Sequence, residues 1–179
     1  MRRTTSFLTL ALFSVSVSTA LGKLLPISFD EFKARTTCGL VVEILKTDEF
    51  RFSPPPEIPW LSSRNRVATA LVERAFASDD ADCDFASSRV EFLFSSEVHS
   101  AHPRQGERAL VFLADSGGYL TEAVYGRSYW RIQEFDDGLY VELDWHNDFL
   151  VVPLGDSVTD DTAYLPLASI QEAWSGAEH

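Results

Sequence analysis

The sequence predicts a mainly β fold: a small closed barrel of five or more antiparallel strands, with a short helix near each end. Three observations predict it. Apolar runs of strand length follow one another along most of the chain, turn signals separate them, and helical periodicity occurs only near the two ends. The 179 residues are 45% apolar and include 13 Phe and 4 Trp, so a single domain can fill one core.

The first 22 residues are typical of a secretory signal peptide. Arg2 and Arg3 give a positive start, Phe7–Val17 is a short apolar stretch, and Ala20–Gly22 matches a small-x-small cleavage pattern. The apolar stretch has about 11 residues, which is too short to span a bilayer. We therefore expect an exported protein, secreted or periplasmic, with one domain over residues 23–179 and no membrane attachment after signal removal.

Each end of this domain carries a helix signal. Ser28 can cap a helix, and Glu31 stands three residues later as its capping-box partner, which predicts a helix over Phe29–Arg35. Near the other end, Pro166 suits a helix start, and apolar residues follow on one side of the next turns. The sequence therefore predicts a closing C-terminal helix.

The predicted strands lie between the two helices. Leu40–Leu45 is almost continuously apolar, as in a strand that is buried on both faces. Gly117 and Gly118 form a hairpin signal. The other predicted strands are Val67–Phe76, Val90–Phe94, Ala109–Ala114, Tyr119–Tyr125, Trp130–Ile132, Leu139–Trp145 and Phe149–Val152. Five strands in this order, with a long first loop, suit a small closed barrel.

Two stretches resemble a known group of barrels. Phe29–Leu45, with its helix and apolar strand, and Gly106–Leu113 (Gly-Glu-Arg-Ala-Leu-Val-Phe-Leu) are similar to exported bacterial OB-like barrel domains. Those domains are distantly similar to netrin-like and tissue-inhibitor-of-metalloproteinase domains. The resemblance covers Ser28–Ile132 and implies an OB-like fold, whereas it implies hardly anything about activity.

One departure from the metalloproteinase inhibitors is informative. In those inhibitors the mature chain begins with a cysteine whose amine and carbonyl chelate the catalytic zinc of the protease. The first cysteine here, Cys38, lies well inside the mature chain. The resemblance therefore does not imply that inhibitory mechanism.

The charge and the absent motifs exclude several function classes. With 15 Lys and Arg against 27 Asp and Glu, the net charge of −12 argues against nucleic acids and anionic membranes and favours cationic partners. The sequence contains no G-x-S-x-G elbow, glycine-rich phosphate loop or H-E-x-x-H pair. His99 and His102 stand three residues apart without further ligands, and we interpret them as loop residues. These absences predict a protein that is not an enzyme and needs no cofactor.

The two cysteines suit a structural disulfide in an oxidising compartment. If Leu40–Leu45 pairs antiparallel with Val67–Phe76, the start of the first strand lies beside the end of the second. Cys38 and Cys83 can then form a bridge. Two unpaired thiols are the alternative.

An acidic loop offers a second hypothesis. Asp80, Asp82, Asp84 and Glu91 have the 1, 3, 5, 12 spacing of carboxylates in an EF-hand calcium loop. Phe85 stands at position 6, where that loop needs Gly, and Glu91 falls inside a predicted strand. Two interpretations stay open: a solvated acidic turn, and a calcium site.

An aromatic stretch supplies the candidate contact surface. Tyr125, Arg127, Tyr129 and Trp130 combine the residue types that dominate binding hot spots. The alternative is a barrel-closing turn in which the aromatic rings pack inward and Arg127 pairs with an acid. Trp60, in a proline-rich loop, can likewise face a partner or lie on the barrel. We expect an exported, non-catalytic module that binds a protein partner through these residues; a calcium-dependent exported protein is the alternative.

Overall fold

The computed structural model describes residues 27–49, 57, 66–77, 85, 88–95, 102–124, 127–144, 150–151 and 162–175. These residues form a mainly β fold with two short helices. In chain order the elements are β1 (Ile27–Ser28), α1 (Phe29–Arg35), β2 (Cys38–Glu49), β3 (Arg66–Ala77), β4 (Arg89–Phe94), β5 (Arg108–Ser116), β6 (Tyr119–Glu122), β7 (Tyr129–Phe135), β8 (Gly138–Asp144), β9 (Leu150–Val151), β10 (Thr162–Pro166) and α2 (Leu167–Ser175).

Five strands close into an OB-like barrel, as the sequence predicts. β2 pairs antiparallel with β3 and β5, β3 with β4, and β5 with β6. β4 and β6 then pair in parallel, at Leu93 and Thr121, and close the ring. This parallel pairing closes a ring whose four other pairings are antiparallel. Strand directions can alternate around a closed ring only if the number of strands is even, so a five-stranded barrel needs one parallel pair.

The hairpin between β5 and β6 turns at the predicted glycine pair. Ser116 pairs with Tyr119, which leaves Gly117 and Gly118 as the two loop residues. Their φ angles are 65° and 85°. A two-residue hairpin with both φ angles positive matches the twist of the flanking strands, and glycine reaches such angles without strain.

The barrel interior is one of two hydrophobic cores. Alternate residues of the five strands point inward, and Tyr129 of β7 joins them. The buried members of this core are Cys38, Leu40, Val42, Ile44, Ala68, Ala70, Val72, Val90, Phe92, Phe94, Ala109, Val111, Leu113 and Tyr129. Small alanines in β3 and β5 leave room in the narrow interior for the rings of Phe92 and Phe94.

A second core lies outside the barrel wall, against the opposite faces of β2 and β5. Four aromatic rings form its centre. Phe112 of β5 contacts Phe32 of α1 at a centroid distance of 4.8 Å, Trp130 of β7 at 4.7 Å and Trp174 of α2 at 5.2 Å. β2 and β5 are therefore buried on both faces, as their continuous apolar runs predict.

Three strands extend the sheet beyond the barrel and carry the second helix. β7 pairs antiparallel with β5, and β8 pairs antiparallel with β7. β10 pairs antiparallel with β8 and forms the far edge of the sheet. α2 packs Leu167, Ile170 and Trp174 against the inner face of this extension. Neither described helix has the length and apolar character that crossing a membrane requires.

The helix positions agree closely with the sequence predictions, and several strand limits differ. α1 spans Phe29–Arg35, as predicted, and α2 begins directly after Pro166, which ends β10. β2 and β3 have 12 residues each and extend past their predicted ends, with register shifts that keep them paired. β10 and the short parallel pairing of β1 with β9 were not predicted.

Cys38 begins β2 and is fully buried, and no free cysteine occurs among the described residues. It lies opposite Ala77, the last residue of β3. This confirms the expectation that the start of β2 lies beside the end of β3. Cys83 lies outside the described residues. The Cys38–Cys83 bridge therefore stays a prediction, as does the signal peptide, which lies outside them too.

The second core predicts a large loss of stability when its central ring is removed. Phe112→Ala should lower the free energy of unfolding by about 3–5 kcal/mol, because it removes a fully buried ring and leaves a cavity between three others. Urea denaturation measures the change. Phe135→Ala deletes the same side chain from an exposed position and should cost far less. Equal losses in the two variants would contradict the central role of Phe112.

Candidate functional site

The sequence-predicted contact residues of the turn before β7 are buried. Trp130 has no exposed surface, and Arg127 and Tyr129 are each 2% exposed. Trp130 lies on the inner face of β7, where it stacks on Phe32 and contacts Phe112. These three side chains are therefore not exposed for contact with a partner, which corrects the expected surface. Trp60 and Tyr125 lie outside the described residues.

The turn itself is a closely hydrogen-bonded connection between β6 and β7. Ser128 Oγ accepts a bond from the backbone N–H of Val124 at 2.8 Å and donates to its carbonyl at 3.0 Å. Trp130 Nε1 donates to the carbonyl of Arg127 at 2.8 Å. The backbone N–H of Phe112 donates to the Ser128 carbonyl at 2.9 Å, which fixes the turn to β5. This geometry fits the alternative interpretation, in which the turn closes the barrel and its rings pack inward.

Tyr129 takes part in a polar network at one end of the barrel. Its hydroxyl donates to Glu107 Oε2 at 2.9 Å, and Glu107 Oε1 lies 3.4 Å from Arg131 Nε. Burial and the adjacent Glu107 carboxylate raise the pKa of Tyr129. The phenol therefore stays protonated and acts as a hydrogen-bond donor to the carboxylate.

His102 lies beside this network and is half-buried. Burial lowers its pKa from the ordinary value of 6.5, and the charges of Arg66, Arg104 and Arg131 lower it further, against a hydrogen bond with the Ser95 backbone that raises it. The imidazole is therefore neutral at pH 7. No group of three or more His, Cys, Asp or Glu side chains that could hold a metal ion occurs within the described ranges.

The candidate calcium loop lies largely outside the described residues, which include none of Asp80, Asp82 and Asp84. Glu91 is described: it lies in β4, as predicted, and its side chain is exposed. Its carboxylate accepts a hydrogen bond from Thr69 Oγ1 at 3.2 Å across the β3–β4 ladder. The calcium hypothesis stays a prediction.

An exposed group of aromatic rings, which we call the aromatic face, lies on the outer side of the sheet extension. It comprises Phe135 of β7, Tyr140 of β8 and Tyr164 of β10. The ring of Phe135 lies edge-on to both tyrosine rings, each at a centroid distance of 5.3 Å. Phe135 and Tyr164 are each 45% exposed. Edge-to-face packing holds the rings together while their outer surfaces remain open to contact.

The strand register explains why these rings share one face. Tyr140 lies opposite Gln133 in β7 and opposite Pro166 in β10, and Tyr164 lies opposite Glu142. Side chains that are directly paired in antiparallel strands point to the same side. The intervening residues, such as Val141, point inward to the second core.

An open cleft of about 240 Å³ adjoins the aromatic face. It lies between the β7–β8 turn, the start of α2 and Arg74 of β3, and Tyr140 belongs to both its wall and the aromatic face. Tyr140 donates to Asp137 Oδ2 at 2.8 Å, and that hydrogen bond raises its pKa. Arg74 Nη1 donates to Gln171 Oε1 at 3.2 Å. The cleft therefore presents hydrogen-bonding groups directly beside the exposed rings.

None of the three aromatic-face residues is among the candidates predicted from the sequence. One signal could have found Tyr140: it alternates with Leu139 and Val141 in a predicted strand, so it falls on the polar face. Phe135 lies five residues after Trp130, and an odd spacing in a strand places two residues on opposite faces. An aromatic residue on the polar face of a strand is a simple indication of a contact surface.

The Tyr129 network predicts a measurable stability contribution. Tyr129→Phe keeps the buried ring and removes the donor to Glu107, so the free energy of unfolding should fall by about 1–2 kcal/mol. Chemical denaturation at pH 7 measures it. Tyr164→Phe removes a hydroxyl from an exposed ring and should leave stability almost unchanged. The network has no such role if the two variants unfold alike.

The lowered pKa of His102 predicts a pH dependence. Because the unfolded chain takes up the proton at higher pH than the folded protein, the free energy of unfolding should decrease as the pH falls below 6.5. The decrease should level off below the folded-state pKa. In His102→Gln this part of the pH dependence should be missing. Urea unfolding from neutral to mildly acidic pH tests it, and parallel curves for the two proteins would count against it.

No family model, curated protein or solved structure matches the chain. The kinship with exported OB-like, netrin-like and metalloproteinase-inhibitor domains therefore stays a prediction from the motifs, while the OB-like barrel itself is observed.

Proposed function

We propose that this protein is an exported, non-catalytic module that binds a protein partner with a basic surface, and that the aromatic face is the contact surface. The observation that carries the proposal is the ring cluster of Phe135, Tyr140 and Tyr164, in which Phe135 and Tyr164 are exposed. The export is supported by the signal-peptide pattern of residues 1–22.

Aromatic rings suit a binding surface for physical reasons. They bring a large apolar area at low entropic cost, and tyrosine is enriched among the residues that dominate binding energy. Phe135 and Tyr164 expose 45% of their surfaces, although both lie in regular strands beside a well-filled core. Clustered exposed apolar side chains are typical of interaction sites.

The charge around the aromatic face indicates the chemistry of the partner. Exposed acids are adjacent to the rings: Asp136 follows Phe135 in the chain, and Asp137 accepts the hydrogen bond from Tyr140. The whole chain carries a net charge of −12. Such a field accelerates association with a cationic surface and repels anionic ones. A basic protein is therefore the partner that fits best, whereas nucleic acid is disfavoured.

A comparison of matched variants tests the proposal. Three proteins are immobilised separately: the wild type, the double variant Phe135→Ser/Tyr164→Ser, and the single variant Leu71→Ser. Each is then exposed to the extracytoplasmic proteins of the source cells. Leu71 is exposed on the barrel, away from the aromatic face, and serves as the control. We expect a basic protein to bind the wild type and the control, and to bind the double variant at least ~10-fold more weakly. High salt should weaken the interaction.

Two results would overturn the proposal. One is a partner that the double variant retains with unchanged affinity while its fold, measured by circular dichroism, is intact. The other is self-association of the wild type that the double variant abolishes, since the aromatic face would then join copies of this chain.

A further inference from the structure

One end of the barrel carries a group of cationic side chains in a protein of net charge −12. β3 begins there with Arg66, at the point where β2 ends, and β5 begins at the same end. Arg131 of β7 lies opposite Ala109, near the start of β5. We call this end the barrel mouth.

Two of these arginines occupy inward-facing positions of their strands. Arg66 stands two residues before Ala68, whose side chain belongs to the barrel interior. Arg131 stands two residues after Tyr129 and opposite Ala109, which are both interior residues. Because strand side chains alternate between faces, Arg66 is directed to the barrel interior, and Arg131 lies on the same face of the sheet as Tyr129 and Ala109.

The loop before β5 adds a third arginine and a histidine. The backbone N–H of Arg104 donates to Glu107 Oε2 at 3.1 Å, which holds the loop against the mouth. His102 hydrogen-bonds with the Ser95 backbone, next to the end of β4. The charges of all three arginines act on its imidazole. Cations from three segments of the chain therefore act on His102.

Two described carboxylates lie near these cations: Glu107, and the buried Glu122, which accepts a hydrogen bond from the backbone N–H of Ser95 at 3.3 Å. Glu107 is shared between Arg131, the Tyr129 hydroxyl and the Arg104 backbone. No described carboxylate forms an ion pair with Arg66 or with the guanidinium of Arg104.

One guanidinium also keeps a donor without an acceptor. Among the described residues, Nε of Arg66 is shielded from solvent and makes no hydrogen bond, whereas Nε of Arg131 lies 3.4 Å from Glu107 Oε1 in an ion pair. A buried donor without an acceptor costs about 1–3 kcal/mol, more when it is charged. Such a group in a folded protein needs an explanation, and a bound water or ion is one that supplies the missing acceptor.

We propose that the barrel mouth binds a small ligand through an oxyanion group, a carboxylate or a phosphate, held by Arg66, Arg104 and Arg131. Guanidinium forks fit both groups with paired, charge-assisted hydrogen bonds. The neutral imidazole of His102 adds a further polar group on the wall of the site. The acidic surface outside the mouth disfavours long polyanions, so a small anion suits the site better than a nucleic acid.

The proposal is tested by calorimetric titration of the full-length protein with inorganic phosphate and, separately, with acetate. Sodium chloride keeps the ionic strength constant in both series. We expect saturable binding of at least one anion, and preference for one of them identifies the ligand group as phosphate or carboxylate. Arg66→Gln and Arg131→Gln should each weaken that binding by about 10-fold. The ring signals of His102 in NMR spectra should shift with the bound anion and not with chloride.

Two further variants keep the test decisive. Arg104→Gln changes an exposed loop side chain, so it should fold even if the inward-facing variants do not, and it should also weaken binding. Arg89→Gln removes the same charge from the opposite end of β4 and should bind normally. The proposal is overturned if neither anion binds saturably, or if Arg89→Gln weakens binding as much as the mouth variants do.

Discussion

The burial of β2 and β5 on both faces is the constraint on which the rest of the structure depends. One face of each strand fills the barrel interior, and the other supports the aromatic core beneath the two helices. Leu110 and Val111 are neighbours in the chain and are buried in different cores. Strands of this kind have no free surface for polar chemistry. The exposed side chains of β2 and β5 are therefore confined to the strand ends.

Much of the fold could be predicted because its signals are local. The capping pattern at Ser28 gave the limits of α1, the glycine pair gave the β5–β6 hairpin, and continuous apolar runs marked the doubly buried strands. β10 lacked such a signal. Tyr164 and Pro166 occupy its outward positions, and Leu165 is the one inward apolar side chain of this strand whose burial the structure describes. The parallel closure of the barrel depends on pairing between distant segments, which no local pattern encodes.

The candidate sites were harder to predict, since their physical basis is register and topology. Trp130 and Phe135 are aromatic residues of one strand, and an odd spacing puts the first in the core and the second in solvent. Residue type alone does not distinguish the buried Trp130 from the exposed Phe135. The arginines of the barrel mouth come from β3, β7 and the loop before β5, so only the closed barrel brings them together. The predicted contact residues Arg127, Tyr129 and Trp130 are buried instead, because hot-spot residue types are also core residue types.

The packing of α1 against α2 has a consequence for how the chain is made. Phe29 and Phe32 lie near the start of the described chain, and the ring of Trp174 lies 6.1 Å from that of Phe29. Lys33 donates a hydrogen bond to the carbonyl of Trp174 and places its ammonium over the indole. During synthesis, the apolar contacts of α1 with Phe112 and Trp130 can form before α2 is made, whereas the contact of Phe29 with Trp174 is completed only after α2 has been synthesised.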